Sequence, residues 1–372
     1  MTLKLSFLDK CPIEKGLTAE QALHNAAEIA QKVESLGFYR YWVAEHHHSS
    51  QYASPSPELM IAWLIQQTEQ IRLGSGGVML QHYSPYKVAE NFNVLSALAA
   101  GRIDLGIGKA PGGLPQSTQA LQQGLDQVKK GDFKQQLLQV QQYIQAPAVQ
   151  EPTVQKQVVQ EQVVQKQVVQ EPTIQKPAIQ AQQLAAESAL AATPLAQQPA
   201  ELFLLGASVE SAVLAAELGW NFVFAAHLNA NQQQLHDALQ AFRQRRAQHR
   251  HPQHNKAIIA VQMIVAENQQ LAEHWAEKLA VWSLHLANGQ RVKLLSEQMG
   301  YAFAQQAQSE IISLQPEALN IVKGSALAVQ QQLVALAEQY AVDELMVEIP
   351  LTQHAQRLQM LEDLVAVTRL AA

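Results

Sequence analysis

From Leu73 to Gly113 the chain reads L-G-S-G-G-V-M-L, then a helical pattern opened by Ser84-Pro85-Tyr86-Lys87-Val88-Ala89-Glu90, then G-R-I-D-L-G-I-G-K-A-P-G-G. A strand, a helix of about fifteen residues, a second strand and a glycine-rich loop have the spacing of a βαβ unit in a parallel sheet, which commits the chain to an α/β architecture. Glycine gathers at both strand ends. Backbone there must pass close to something flat or anionic, so a ligand is expected across the carboxyl ends of the strands.

The same unit recurs on both sides. Leu3 to Leu8 reads as a strand, followed by the breakers Pro12 and Gly16. Thr18 caps a helix whose apolar positions Ala22, Ala26, Ile29, Ala30, Val33 and Leu36 recur at helical spacing until Gly37. Tyr41 to Ala44 is strand two and delivers Glu45-His46-His47-His48 to its carboxyl end, before a helix from about Pro57 to Gln70. A fourth helix is expected over Ser117 to Ile144. Later come strand five (Glu201 to Leu205), a helix through Leu218, strand six (Asn221 to Ala225) and a helix from Asn231 to His249. Strand seven (Ala257 to Val265) precedes helical patterns over Gln269 to Leu286 and Ala326 to Tyr340, and strand eight (Asp343 to Ile349) precedes a last helix, Gln353 to Leu370. Asn288 to Ser325 forms a long excursion on the carboxyl side of strand seven, where barrel enzymes keep lids. Eight strands alternating with helices point to a closed parallel barrel, with an open doubly wound sheet as the alternative.

Between helix four and strand five the chain ticks at five residues, as in E-P-T-V-Q, K-Q-V-V-Q and E-Q-V-V-Q from Glu151. Five residues advance a helix by about 500°, so the apolar pairs would spiral round it and form no buried face. The tract reads as a low-complexity insertion at about 146–183 in a single barrel domain spanning 1–372. A β-solenoid or a partner-docking strand are the other readings.

A chain of 372 residues suits one barrel carrying such an insertion. Its net charge of -6, from 26 basic and 32 acidic residues spread along the sequence, gives no footprint for nucleic acid. One cysteine, Cys11, excludes an internal disulfide and zinc ribbons. No apolar run approaches the ~20 residues of a membrane span. The expectation is a cytoplasmic protein with a small-molecule partner.

Three adjacent histidines on an extended segment point alternately to opposite sides and cannot all reach one ion, and H-E-x-x-H spacing is absent, so no metal is expected. Histidine's near-neutral pKa suits proton transfer instead. Gly74, Gly76 and Gly77 fit either a bulge or a close ligand contact. Gly106-Ile107-Gly108 has Pro111 where a dinucleotide fingerprint needs its third glycine, which disfavours a pyridine-nucleotide site. Ser208 and Ser211 open a helix after strand five, as a plain cap or as a phosphate seat. His227 and Asn229 close strand six, and Asp9 closes strand one, positions where a barrel gathers catalytic groups or merely turns in solvent.

The segments W-V-A-E-H-H-H from Trp42, L-G-S-G-G-V-M-L from Leu73, S-P-Y-K-V-A-E from Ser84, G-R-I-D-L-G-I-G-K from Gly101, L-L-G-A-S-V-E-S from Leu204 and D-E-L-M-V from Asp343 together resemble the bacterial luciferase-like flavin-dependent monooxygenases. The resemblance implies a (β/α)8 TIM barrel that binds reduced FMN at its carboxyl mouth and uses dioxygen to oxidise a small organic substrate. It implies that His46 is catalytic, as general base or hydrogen-bond partner at the flavin, with His227 as a second candidate from its place in the barrel. Gly76 and Gly77 would run against the isoalloxazine, and Glu45 would orient the cofactor's surroundings. Ser208, Ser211 and Lys109 would hold the phosphate. Lysine at 109, where the family commonly has arginine, keeps the charge and loses the bidentate fork. With no nucleotide fingerprint in the chain, a separate reductase would supply reduced FMN, and a homodimer is the expected assembly. A deazaflavin-dependent oxidoreductase on the same fold, and a flavin-binding protein without catalysis, are the alternatives.

Overall fold

The strand–helix alternation closes on itself in the computed structural model, which describes residues 3–144, 190–249 and 256–370. Strands β1 (Lys4–Asp9), β2 (Arg40–Val43), β3 (Arg72–Ser75) with its short continuation β4 (Val78–Met79), β5 (Ile103–Gly108), β6 (Glu201–Gly206), β7 (Asn221–Ala225) and β8 (Ala257–Val265) pair in that order, all parallel. An antiparallel excursion follows, made of β9 (Ala280–Leu286), β10 (Arg291–Leu294) and β11 (Ile311–Ala318), and then β12 (Ile321–Gly324) lies along the carboxyl half of β8. Strand β13 (Glu344–Glu348) pairs with β8 on one side and β1 on the other, which shuts an eight-stranded (β/α)8 barrel. The open-sheet alternative falls away.

Eleven α-helices are described: α1 (Ala19–Ser35), α2 (Pro57–Leu64), α3 (Pro85–Leu98), α4 (Pro115–Gln122), α5 (Phe133–Ile144), α6 (Val209–Leu218), α7 (Gln232–His249), α8 (Gln269–Ala276), α9 (Glu297–Gln306), α10 (Ala326–Tyr340) and α11 (His354–Leu370). Helix α1 starts at a reciprocal capping box between Thr18 and Gln21 and buries Ala22, Ala26, Ile29, Ala30 and Val33, the stripe read from the sequence. Helix α6 ends on Gly219 in the left-handed region at φ 73°, which glycine adopts without a Cβ clash.

Side chains of period two divide the strands between two cores. Leu8, Trp42, Ala44, Phe203, Val223, Ile258, Ala260 and Met346 fill the lumen, while alternate residues such as Phe7, Tyr41, Phe222, Ile259 and Val347 face the helices. Burying each large lumen side chain contributes about 1.5–3 kcal/mol. The amino end of the lumen is plugged by Arg40, fully buried, whose guanidinium meets Asp104 at 2.7 Å, Glu344 at 2.8 Å and Glu201 at 3.1 Å. Arg72 also pairs with Asp104, and Trp42 donates its indole N–H to the same carboxylate at 3.0 Å. Burial opposes the charge on Arg40, and the three carboxylates overcome that and raise its pKa.

Two helix expectations need correction. The pattern over 117–144 is broken into α4 and α5, with Gly131 between them in the left-handed region at φ 75°. The pattern over 269–286 holds only to Ala276, because Ala280–Leu286 alternates and becomes the central strand of the antiparallel sheet. Leu284 and Leu286 from that strand, with Leu294, Phe303 and Ala304, form a small core that includes Leu114 from the loop after β5. The Gln116 N–H also donates to the Gln306 side chain at 3.1 Å. The excursion therefore sits against the loops at the carboxyl mouth. The pentad tract expected at about 146–183 lies outside the described residues. The chain is described again from Leu190, and its return is fixed on α3, where Tyr86 donates to the Ala191 carbonyl at 2.9 Å and Asn93 to the Ala192 carbonyl at 2.6 Å.

Candidate active site at the carboxyl mouth

Continuing the lumen parity one step past the apolar layer gives the residues at the mouth. Leu8 is followed two residues on by Lys10, Ala44 by His46, Ala260 by Gln262 and Met346 by Glu348, and on β7 the same alternation runs from Val223 through Ala225 to His227. Lys10 Nζ meets Glu348 Oε1 at 2.8 Å, and Gln262 Nε2 donates to Glu348 Oε2 at 2.9 Å, so both carboxylate oxygens are occupied. Burial works against both charges. Their mutual attraction prevails, raising the pKa of Lys10 and lowering that of Glu348, so the pair is ionised.

Both histidines of the mouth are neutral. Burial, and then the nearby Lys10 ammonium, push His46 down to about 3 and His227 to about 4. His46 packs its ring on Tyr52 at 4.4 Å between centroids, donates its backbone N–H to the Ser54 carbonyl at 3.0 Å, and has no partner for Nδ1 among the described residues. His227 Nδ1 lies 3.4 Å from the Ala260 carbonyl. A carbonyl only accepts, so this contact favours the proton on Nδ1 and the lone pair on Nε2. That is the tautomer of a base.

Glu45 faces away from the lumen. Its Oε1 lies 2.7 Å from His47 Nε2 and accepts from the Tyr83 hydroxyl at 2.9 Å, while Oε2 accepts from the Met79 N–H at 3.1 Å. Protein groups thus fill both oxygens, and Glu45 braces the end of β2 against β4. His47 also donates its backbone N–H to the Gly112 carbonyl at 2.8 Å, tying in the loop that follows Lys109. His48 is exposed, so the three histidines diverge. Among the described residues no group of three or more His, Cys, Asp or Glu is placed to hold a metal ion.

Gly76 and Gly77 are joined by a cis peptide at the end of β3. A Cβ on Gly76 would come within 2.4 Å of Leu8 Cδ1, and one on Gly77 within 2.8 Å of the Gly106 carbonyl oxygen. The space saved at each glycine is taken by the protein itself, so the reason for glycine here is strand packing, a physical basis different from room for a ligand. Lys109 is exposed just beyond β5, and Ser208 and Ser211 open α6 just beyond the adjacent β6. Ser208 Oγ accepts from the Ser211 N–H at 3.3 Å and lies 3.3 Å from Ser211 Oγ. Neighbouring strand ends therefore bring a lysine ammonium and a helix N-terminus to the same sector of the mouth.

Asp9 and Asn229 are engaged elsewhere. Asp9 accepts from Tyr41, Arg357 and the Cys11 N–H on the helix side of β1, and Asn229 bonds the Ala207 carbonyl and the Gln234 side chain. Sequence reasoning missed Lys10, Tyr52, Gln262 and Glu348. The parity of the lumen residues was the signal that would have found all but Tyr52.

A family model described as luciferase-like monooxygenase matches residues 4–146. The N-acetyl-S-alkylcysteine monooxygenase of Bacillus subtilis (strain 168) is 31% identical over 371 residues, covering 99% of each chain. The chain belongs to the luciferase-like monooxygenases. It is thereby an oxidoreductase of the monooxygenase type. Among solved structures, this luciferase-like monooxygenase superposes on apo-MsnO8 with a TM-score of 0.70 and 27% identity over 99% of both chains. Two more distant structures share the fold. One is the oxygenating constituent of 3,6-diketocamphane monooxygenase of Pseudomonas putida in complex with FMN, with a TM-score of 0.60, 18% identity, and 97% and 96% of the two chains covered. The other is an F420-dependent secondary alcohol dehydrogenase, with a TM-score of 0.63, 12% identity and 99% of both chains covered.

Proposed function

We propose that this luciferase-like monooxygenase binds reduced FMN at the carboxyl mouth of its barrel and oxidises a small organic substrate with dioxygen. The observation that carries the reading is the composition of the mouth: an anion seat in one sector and a neutral histidine with an open lone pair in the next. Two hydroxyls, the first amides of α6 and the Lys109 ammonium fit a phosphate by charge and hydrogen-bond sense, so Ser208, Ser211 and Lys109 would hold that end of the cofactor. The ends of β3 and β5, including Gly76 and Gly77, would offer backbone to the ring. Reduced flavin, when bound, supplies the two electrons and the site of reaction with dioxygen.

The chain's own residues move protons and exclude water. His227, with Nε2 unprotonated at neutral pH, takes a proton from the reacting group, and His46 on the facing sector serves as its hydrogen-bonding counterpart. The apolar layer of Leu8, Trp42, Phe203 and Met346 closes the floor beneath them, and the antiparallel excursion stands beside the loops above. Reduced FMN would arrive from a separate reductase, in a cytoplasmic homodimer. No helix among the described residues is long and apolar enough to cross a membrane.

A titration of the full chain with FMN and with the deazaflavin F420, followed by fluorescence, tests the cofactor. FMN is expected to bind at least about tenfold tighter. The reverse order favours the deazaflavin oxidoreductase reading, which the F420-dependent neighbour keeps in play. Flavin binding with no oxygen-dependent turnover would mark a protein that has lost catalysis.

A further inference from the structure

Lys10 is a cation set into the rim of the mouth at the end of β1, three strands away from Lys109. Glu348 balances it, His46 and His227 are neutral, and Tyr52, whose ring centre lies 6.0 Å from Lys10 Nζ, has its pKa raised, by burial above all, and is neutral as well. An ammonium carries three N–H donors, and Glu348 is the one hydrogen-bond partner of Lys10 among the described residues. The side chain of Lys10 is 14% exposed against 5% for Glu348, so the pair turns its donor half outward. Each oxygen of Glu348 already accepts a protein donor, Lys10 on one and Gln262 on the other, and Glu348 is the less accessible member of the pair. A pure hydrocarbon seated here would strip water from the spare N–H groups and give nothing back, which is costly for a charged donor.

We infer that Lys10 is a substrate-docking residue of the mouth, receiving an oxygen acceptor of the substrate, a carboxylate or an amide carbonyl, on the ammonium hydrogens that Glu348 leaves unused. The inference rests on the mouth being the reaction site and names the substrate class: small molecules bearing such an oxygen, in preference to plain hydrocarbons.

Calorimetry on the full chain, with and without added FMN, uses three thioether probes: N-acetyl-S-methylcysteine, its C-terminal amide, and butyl methyl sulfide, which has no oxygen. At least one of the two oxygen-bearing probes is expected to bind about tenfold or more tighter than the sulfide. Preference for the acid alone assigns a carboxylate, and preference shared with the amide assigns a carbonyl. Lys10→Met alone strands a buried carboxylate and endangers the fold. The double variant Lys10→Met/Glu348→Gln removes both charges together, and it should erase the preference while leaving FMN affinity within about twofold. Equal binding of the three probes, binding of none, or a preference that survives in the double variant overturns the inference. Loss of FMN binding by the unaltered protein, with the probe preference intact, would strike the cofactor reading and leave the docking role standing.

Discussion

Acidification from pH 7 to pH 5 separates this mouth from one built on ordinary histidines. A histidine titrating near its usual value of about 6.5 is only about 3% neutral at pH 5, whereas one titrating near 4 is about 90% neutral there, a gap of about 30-fold in the basic form. His227 is held at about 4 and His46 at about 3, by burial first and by the Lys10 ammonium second. The acid limb of kcat/KM should therefore lie near or below pH 4, and Lys10→Met/Glu348→Gln should move it only modestly because burial is the larger cause. Linkage gives the accompanying change in stability. The unfolded chain protonates these rings near 6.5 and the folded chain near 3 to 4, so between those values the unfolded state binds more protons. Their contribution to stability is complete above about 6.5 and is lost as pH falls toward 4. Side-chain 13C–15N NMR titration, assigned with His46→Asn and His227→Asn, reads the two rings directly. A midpoint near 6.5 for either would refute the reasoning.

Ser208→Ala with Ser211→Ala should raise the FMN dissociation constant at least about tenfold and leave riboflavin within about twofold, since each lost bond to a charged group costs about 1.5–3 kcal/mol; equal losses would remove the phosphate from α6. Arg40→Met at the opposite end of the lumen should lower stability by about 3–5 kcal/mol in urea titrations, because Asp104 and Glu344 lose a buried partner, and an unchanged midpoint would contradict this. Replacement of residues 150–180 by a short Gly/Ser linker should leave flavin affinity and turnover within about twofold, since the anchors of Ala191 and Ala192 on α3 are retained. A large loss of flavin binding in that deletion would show that the tract reaches the mouth.

Strands were legible because lumen and helix faces alternate over four to nine residues and glycine marks their ends. β7 and β8 begin and end at the residues expected from the sequence. Helices were legible where a cap and a stripe agreed, as at Thr18 and Gly219. Ala280–Leu286 was misread because Trp, Leu and Ala suit either period over so short a run, and only pairing with β10 and β11 decides between them. At the mouth, the histidines announced themselves by residue type. Lys10 and Glu348 did not, since they stand at opposite ends of the chain and become a pair only when β13 closes against β1. The tautomer of His227 likewise depends on a carbonyl of the next strand, which no local pattern encodes.

The central claim is that dioxygen and a reduced flavin react at this mouth. The direct measurement loads the full chain anaerobically with reduced FMN, mixes it with 18O2 and N-acetyl-S-methylcysteine or a cyclic ketone, and weighs the product by mass spectrometry. The account predicts one 18O atom per product molecule, with the yield cut by about 10² or more in His227→Ala at unchanged FMN affinity. Product carrying no label, or turnover that proceeds with F420 and without oxygen, would contradict it.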